Sequence, residues 1–202
     1  MDASMRCLWD QFGEMPEDLR LYGGTALALY LDHRASTDFD FATPTGRVER
    51  ELVERIPALR GGEVRGGGSM VDVVVSGERD VMVTMMECGR LIPMPVCEPM
   101  PAENGVRVAH PVDLVAGKVH ACVSRGARRD YEDVAAAART WHRWTLQGVK
   151  AVIEKTSYDA AWVARALAEP PPEAELGTRD VGTLRRFARR LPEVLINRAP
   201  ER

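Results

Sequence analysis

The sequence predicts an α+β protein whose N-terminal half carries a sheet and whose C-terminal half is helical. Short apolar runs separated by turn residues lie between residues 19 and 86, which favours strands. From residue 111 onward, apolar residues recur at helical spacing. Four prolines between residues 93 and 101 mark an irregular segment. We therefore predict one domain over residues 1–104 and a second over residues 105–202.

Composition favours a soluble, cytoplasmic protein with no membrane partner. The chain has 202 residues, of which 45% are hydrophobic and 28% are charged. It contains neither an apolar run long enough to span a bilayer nor a recognisable signal peptide. The four cysteines are scattered, as expected of reduced thiols. The net charge of −3 means that any nucleic-acid surface must be local.

The elements of the N-terminal half follow from its apolar spacing and its glycines. Apolar residues three and four apart between residues 5 and 12 favour an amphipathic helix. Gly23 and Gly24 end a short apolar run, and Thr25 is placed to cap the helix that follows. The predicted elements are helices over residues 3–14, 26–32 and 48–59 and strands over residues 19–22, 36–41, 70–75 and 81–86.

The C-terminal half is predicted to contain helices over residues 112–125, 130–144, 145–168 and 181–196, with a proline break at residues 170–172. The last helix places four arginines at spacings of three and four, which predicts one cationic face: Arg185, Arg186, Arg189 and Arg190. Such a face is either an ordinary solvated surface or a contact for an RNA backbone. The sequence leaves both interpretations open.

A glycine turn, a helix and an Asp-x-Asp strand form the first candidate site. Side chains alternate along a strand, so Asp38 and Asp40 share one face and repel each other. A divalent cation with oxygen ligands, such as Mg²⁺, relieves that repulsion. Gly23 and Gly24 precede a helix N-terminus, whose backbone N–H groups and dipole suit a phosphate. The pattern predicts a metal–nucleotide site, although a glycine helix entry beside two surface aspartates is the simpler interpretation.

The stretch GGTALALYLDHRASTDFDFAT at residues 23–43 resembles the AbiEii/AbiGii-type toxin branch of the polymerase-β-like nucleotidyltransferase superfamily. The resemblance implies a nucleotidyltransferase lobe with a mixed or antiparallel sheet, followed by a helical lobe that completes the active-site cleft. It implies that Asp38 and Asp40 hold Mg²⁺ and the nucleoside triphosphate. It places Gly23, Gly24 and Thr25 at the phosphates. Arg34 is a candidate either for binding the nucleotide or for neutralising the aspartate pair, and Ser36 is a further nucleotide-binding candidate.

A second pattern lies in the helical half. Taken alone, Lys118 reads as a surface cation and Asp130 as a helix N-cap. The same toxin branch, however, has an aspartate-and-lysine helix followed by an arginine-rich motif with two aspartates, as in the stretch from Arg125 to Asp133. The resemblance makes Lys118 a ligand of the triphosphate. It makes Asp130 a catalytic-site residue that either orients Lys118 or assists deprotonation of the acceptor hydroxyl.

One departure from the superfamily pattern concerns a third carboxylate. Many polymerase-β-like enzymes carry it on a later strand, and Thr84 stands at that position here. Asp72 lies on the preceding predicted strand, and the pattern gives no reason to assign it to the site. The case for a full two-metal mechanism is correspondingly weaker.

The resemblance implies a Mg²⁺-dependent nucleotidyltransferase that moves a nucleoside monophosphate from an NTP to an acceptor hydroxyl. The implied acceptor is RNA, such as tRNA, and the implied biological role is that of a toxin with a cognate antitoxin. Two alternatives to this function remain at this point. The chain could be a catalytically silent nucleotide-binding module that acts through a protein partner. It could also be an aminoglycoside-type enzyme that modifies a small molecule.

Overall fold

The structure, a computed structural model, describes residues 1–89 and 92–196, together with their side chains apart from those of residues 14 and 192–196. The chain forms two compact units, Met1–His110 and Pro111–Arg202. The sequence-based boundary lies a few residues earlier, between residues 104 and 105.

The first unit is built on a mixed sheet. Its strands are β1 (Arg20–Tyr22), β2 (Asp38–Thr43), β3 (Glu63–Gly66), β4 (Met70–Val75), β5 (Val81–Glu87), β6 (Met100–Pro101) and β7 (Arg107–Val108). The strand order is β3-β4-β5-β2-β1-β7-β6. The pairs β2–β5 and β1–β7 are parallel, and the other neighbours are antiparallel. The helices of this unit are α1 (Ala3–Gln11), α2 (Gly23–Leu31) and α3 (Arg50–Glu54).

The core of this unit lies on one face of the sheet. Phe39 and Phe41 of β2 are fully buried, and both rings make edge contacts with Phe12, at centroid distances of 5.0 and 5.2 Å. Phe12 follows α1 in a short 3₁₀ turn. The alternation of strand side chains leaves the even-numbered residues of β2, including Asp38 and Asp40, on the opposite face.

The second unit consists of helices α4 (Pro111–Ser124), α5 (Arg128–Thr140), α6 (His142–Lys155), α7 (Ala160–Ala168) and α8 (Thr178–Ile196). Small residues allow its helices to pack closely. A Cβ atom built on Gly148 of α6 would lie 2.7 Å from Cγ1 of Val115 on α4, so these two helices leave no room for a side chain there. None of the helices in the described part of the chain is long and apolar enough to cross a membrane.

The predicted fold class is confirmed, but the bounds of three predicted helices are wrong and three strands were missed. The helix expected over residues 145–168 is two helices, because the chain turns between α6 and α7 and Asp159 caps α7 through the N–H of Trp162. The helix expected over 130–144 ends at Thr140. The helix expected over 48–59 is confined to α3 and a 3₁₀ turn at Pro57–Leu59. Strands β3, β6 and β7 were missed because they are short and largely exposed.

Candidate nucleotide and metal site

Asp38 and Asp40 stand on the face of β2 that is turned away from the aromatic core. Both are half-buried, whereas Phe39 and Phe41 between and beyond them are fully buried. Antiparallel pairing places Tyr22 of β1 opposite Asp40. The glycine turn that follows Tyr22 is thereby brought to the carboxylates.

The two glycines of this turn are in contact with the site residues. Gly23 has φ +69°, and a Cβ atom there would lie 2.0 Å from Oδ2 of Asp40. A Cβ atom on Gly24 would lie 2.6 Å from a terminal guanidinium nitrogen of Arg34 and 3.1 Å from Oγ of Ser36. A side chain at either position would therefore displace Asp40 or Arg34. The left-handed φ of Gly23 adds a backbone requirement for glycine.

Helix α2 begins at Gly23, three residues earlier than predicted, and Tyr22 is its N-cap residue. The prediction that Thr25 caps this helix is wrong: no side chain makes a capping hydrogen bond there. Thr25 is buried, and its hydroxyl donates to the backbone carbonyl of Asp38. This hydrogen bond links α2 to β2. Because no side chain caps α2, the backbone N–H groups of its first turn can bind a phosphate.

Ser36 and Arg34 complete this part of the site. Ser36 is buried, and its Oγ donates to Oδ1 of Asp38 over 3.1 Å, which fixes the orientation of that carboxylate. Arg34 is half-buried, and its Nη1 donates to the carbonyl of Ala35 over 3.0 Å. The structure thus brings together the candidates that the sequence placed in the first unit: Gly23, Gly24, Thr25, Arg34, Ser36, Asp38 and Asp40.

The chemistry of this site fits a magnesium–nucleotide complex. Among the described residues, no group of three or more His, Cys, Asp or Glu side chains is placed to hold a metal ion. Mg²⁺ does not need such a cage, because it is held by one or two carboxylates, water and the phosphates of the substrate. In such a complex Asp38 and Asp40 would supply the carboxylates, and the start of α2 would supply N–H donors for phosphate oxygens.

The candidates of the second unit form a compact ion cluster. Lys118 Nζ lies 3.2 Å from Oδ1 of Asp130 and 2.9 Å from Oδ2 of Asp133. Both aspartates are fully buried. Arg125 donates two hydrogen bonds of 2.8 Å to Asp130, from Nε to Oδ2 and from Nη2 to Oδ1. The cluster of Lys118, Arg125, Asp130 and Asp133 balances two cations with two carboxylates.

The cluster corrects one prediction and adds two residues. Taken alone, Asp130 was predicted to be an N-cap, but the N-cap residue of α5 is Ala127 and Asp130 lies in the first helical turn. Asp133 and Arg125 were not assigned a role. The signal for Asp133 was its spacing of three from Asp130, because side chains three apart share a helix face. Arg125 directly follows α4, and no local rule pairs it with Asp130.

The buried groups beside the cluster are neutral. The Tyr131 hydroxyl donates a hydrogen bond to the carbonyl of Cys122 over 3.2 Å. The pKa of Tyr131 is raised to about 12, chiefly by burial. Burial likewise raises the pKa of the Cys122 thiol well above its usual value, with nearby Asp130 adding to the shift. A thiol held in its neutral form is a weak nucleophile, so Cys122 serves packing here.

A mixed sheet that sets paired carboxylates against a glycine turn, followed by a helical unit, defines a nucleotidyltransferase fold. The sequence matches the family described as "Nucleotidyl transferase AbiEii toxin, Type IV TA system" over residues 6–197. The chain belongs to this family, and it is a nucleotidyltransferase of the toxin–antitoxin class. Membership implies an NTP substrate, a divalent metal and an antitoxin partner in general.

Two solved structures share the fold. An H. pylori protein assigned as a nucleotidyltransferase is 17% identical, with a TM-score of 0.60 over 96% of this chain and 93% of that one. MenT4, a nucleotidyltransferase toxin from Mycobacterium tuberculosis H37Rv, is 15% identical, with a TM-score of 0.54 over 98% of this chain and 85% of that one. At these identities the likeness establishes the fold alone. A comparison with curated proteins gave no match.

Proposed function

We propose that this protein is a Mg²⁺-dependent nucleotidyltransferase that transfers a nucleoside monophosphate from an NTP to a hydroxyl group of RNA, such as tRNA. The observation that carries the proposal is the contact between the glycine turn and the carboxylate pair of β2. Gly23 has no room for a Cβ because the Asp40 carboxylate occupies that space. A phosphate bound to the turn would therefore lie beside a metal bound by the carboxylates.

The residues of the first unit have separate roles in this proposal. Asp38 and Asp40 hold Mg²⁺, which when bound neutralises charge on the phosphates. The N–H groups at the start of α2 bind the terminal phosphates, and the Arg34 guanidinium adds positive charge beside Gly24. Ser36 fixes the Asp38 carboxylate. The acceptor oxygen attacks the α-phosphorus and pyrophosphate leaves, so catalysis comes from positioning and charge neutralisation.

For the helical unit we propose that Lys118 contributes its charge to binding the triphosphate, and that Asp130 is a positioning residue. Both oxygens of Asp130 accept hydrogen bonds from cationic side chains, and its side chain has no exposed surface. A group enclosed in this way cannot touch an acceptor hydroxyl. Of the two roles considered for Asp130, we therefore favour orienting Lys118 over acting as a general base.

A cationic and aromatic surface on the helical unit supports RNA as the acceptor. A cavity of about 220 Å³ is lined by three arginines, a histidine and a phenylalanine, and no acidic side chain lines it among the described residues: Ala138, Arg139, His142, Thr183, Arg186, Phe187 and Arg190. A neighbouring depression shares His142 and adds Trp141, Arg143 and Trp144. Arginines neutralise phosphates, and exposed rings stack on unpaired bases. We call this surface the α5–α6–α8 patch.

Arg185 of α8 has a different environment from Arg186 and Arg190, which provides a control. Arg186 and Arg190 line the cavity, and Phe187 between them is buried against His142. Arg185 instead donates to the carbonyl of Ala168 at the end of α7. We expect Arg186→Glu with Arg190→Glu to weaken RNA binding far more than Arg185→Glu with Arg189→Glu, which changes the net charge equally. Equal weakening by both pairs would mean that the patch is not the RNA site.

The transfer reaction is tested by incubating the protein with each α-labelled NTP, Mg²⁺ and total RNA. We expect label in RNA with wild-type protein and none with Asp40→Asn, whose folding is checked by circular dichroism. Label in a small molecule or in protein, with none in RNA, would refute the RNA acceptor. NTP binding seen by calorimetry without transfer from any NTP would instead support the silent nucleotide-binding module.

The partner and the compartment are part of the same proposal. The chain would meet its NTP, its RNA acceptor and a cognate antitoxin in the cytoplasm. Co-expression with the gene product encoded beside it, followed by a growth assay, tests the antitoxin. Growth that stays arrested in the presence of every adjacent product would refute a neighbouring antitoxin.

A further inference from the structure

A row of four side chains crosses the sheet at the level of Asp40. Asp40 of β2 is paired with Thr84 of β5, Thr84 with Asp72 of β4, and Asp72 with Arg65 of β3. Directly paired residues point to the same face of a sheet. Asp72 and Thr84 are therefore on the face that carries the metal ligands, while Val73 and Val83 beside them are fully buried.

Thr84 and Asp72 are joined by a hydrogen bond. Oγ1 of Thr84 lies 2.7 Å from Oδ1 of Asp72. A carboxylate only accepts hydrogen bonds, so the hydroxyl proton of Thr84 is directed to Asp72 and the Thr84 oxygen keeps its capacity to accept. Thr84 is the cross-strand partner of Asp40, and neighbouring strands lie about 4.8 Å apart, so Thr84 stands beside the carboxylate pair on the adjacent strand.

The row supplies a proton acceptor that is otherwise missing from the site. Asp38 and Asp40 are committed to the metal, and Asp130 is enclosed by cations. Asp72 is half-buried, and its Oδ1 accepts a hydrogen bond from the hydroxyl of Thr84. Asp130, by contrast, accepts hydrogen bonds from cations on both oxygens. Its cross-strand neighbour Arg65 makes a two-bond pair with Glu63, with both distances 2.9 Å.

We propose that Thr84 and Asp72 form a proton relay that replaces the third carboxylate at the strand position of Thr84. The proposal rests on the nucleotidyl transfer proposed above. The acceptor O–H bond breaks and its proton passes to Oγ1 of Thr84, while the proton of Thr84 passes to Oδ1 of Asp72. The acceptor oxygen forms its bond to the α-phosphorus as the bond to the bridging oxygen breaks and pyrophosphate leaves with that electron pair. Asp72, now a carboxylic acid, returns the proton to water.

In this relay Thr84 is the catalytic residue, because it touches the acceptor hydroxyl, and Asp72 acts through it as a positioning residue. General base assistance contributes about 10²–10⁴-fold to rate. We therefore expect Thr84→Val, which is isosteric and favours a strand, to lower kcat at least about 10²-fold with little change in the KM for NTP. Asp72→Asn keeps an acceptor for the Thr84 hydroxyl but holds a proton poorly, so we expect a similar loss of kcat.

Two further variants separate the relay from a structural role. Thr84→Ser retains the hydroxyl, and we expect it to keep kcat within about threefold of wild type, far above the loss that general base removal brings. Thr84→Val with Asp72→Asn should be no slower than either single variant, because groups acting as one unit are not additive.

If wild-type protein transfers nucleotide and Thr84→Val transfers it at a comparable rate, the relay is refuted while the proposed function stands. It is also refuted if Thr84→Ser is as slow as Thr84→Val, because the hydroxyl would then not be the group required. Wild-type protein that transfers nucleotide to no acceptor would refute the proposed function and the relay with it. Melting temperatures of all variants are measured in parallel, and the comparison of serine with valine remains decisive if both are equally stable.

Discussion

The ion cluster around Lys118 makes a quantitative prediction about stability. Lys118→Met removes the ammonium and leaves its hydrocarbon volume filled. Asp130 keeps two hydrogen bonds of 2.8 Å from Arg125, so it loses little, whereas fully buried Asp133 loses a cation at 2.9 Å. Removing one partner of a buried ion pair costs about 3–5 kcal/mol. Because Arg125 still holds Asp130, we expect the lower end, about 3 kcal/mol.

The assay is thermal unfolding followed by tryptophan fluorescence, since three of the four tryptophans (Trp141, Trp144 and Trp162) lie in the helical unit. For a chain of this size, about 3 kcal/mol corresponds to a fall in Tm of about 6–12 °C. Adding Asp133→Asn to Lys118→Met removes the buried carboxylate charge that lost its cation at 2.9 Å, and it should restore part of the lost stability. Arg125→Ala should cost only about 1 kcal/mol, because the Arg125 side chain is 66% exposed.

The result that would refute this reasoning is a Lys118→Met protein that melts within about 2 °C of wild type, well under the shift expected for a lost buried pair. An Arg125→Ala protein that is less stable than Lys118→Met would also refute it, because the exposed cation would then be the important one. If the prediction holds, activity lost on substitution of Lys118 or Asp130 has to be separated from unfolding before it is interpreted as chemistry.

Three further predictions follow from the packing. Gly23→Ala should abolish nucleotide transfer, because its Cβ would lie 2.0 Å from Oδ2 of Asp40; calorimetry with NTP and Mg²⁺ tests the loss of binding, and unchanged binding would contradict the close contact. Burial lowers the pKa of His120 in the folded protein. As the pH falls below about 6.5, the unfolded state therefore takes up the proton first, and the folded state loses stability. The Tm of wild type should therefore fall between pH 7.5 and 5.5 more than that of His120→Phe, which keeps a ring against Tyr158, and parallel curves would exclude His120 as the cause. Because burial raises the pKa of Cys122, a thiol reagent should label exposed Cys7 in the native protein and Cys122 only after unfolding; native labelling of Cys122, detected by mass spectrometry, would contradict its burial.

The parts of the site that depend on local periodicity could be predicted from the sequence. The alternation of Asp38 and Asp40 with Phe39 and Phe41 needs only the two-residue period of a strand, and the structure has the carboxylates and rings on opposite faces. The order of strands followed by helices could be predicted for the same reason, because periodicity and proline positions are local signals, whereas the mixed sheet was implied by the family resemblance.

The parts that depend on contacts distant in sequence could not be predicted. Thr25 obeys the local rule for an N-cap, but its hydroxyl is taken by the carbonyl of Asp38, thirteen positions away. The pairing of Thr84 with Asp72 depends on the register of two strands, which residue types alone do not determine. The division of the α8 arginines depends on what α5 and α7 present to each side of that helix.

The two faces of β2 have a consequence for how this enzyme is switched off. The same six-residue strand carries Asp38 and Asp40, the proposed metal ligands, on one side and fully buried rings on the other. The carboxylates therefore cannot shift without disturbing the aromatic core, and α2 is fastened to the same strand through Thr25. A shift of the strand would therefore alter the site and the core together. We expect control of the proposed activity to act from outside this unit, through the amount of protein made, the supply of substrates or a partner that opposes its effect.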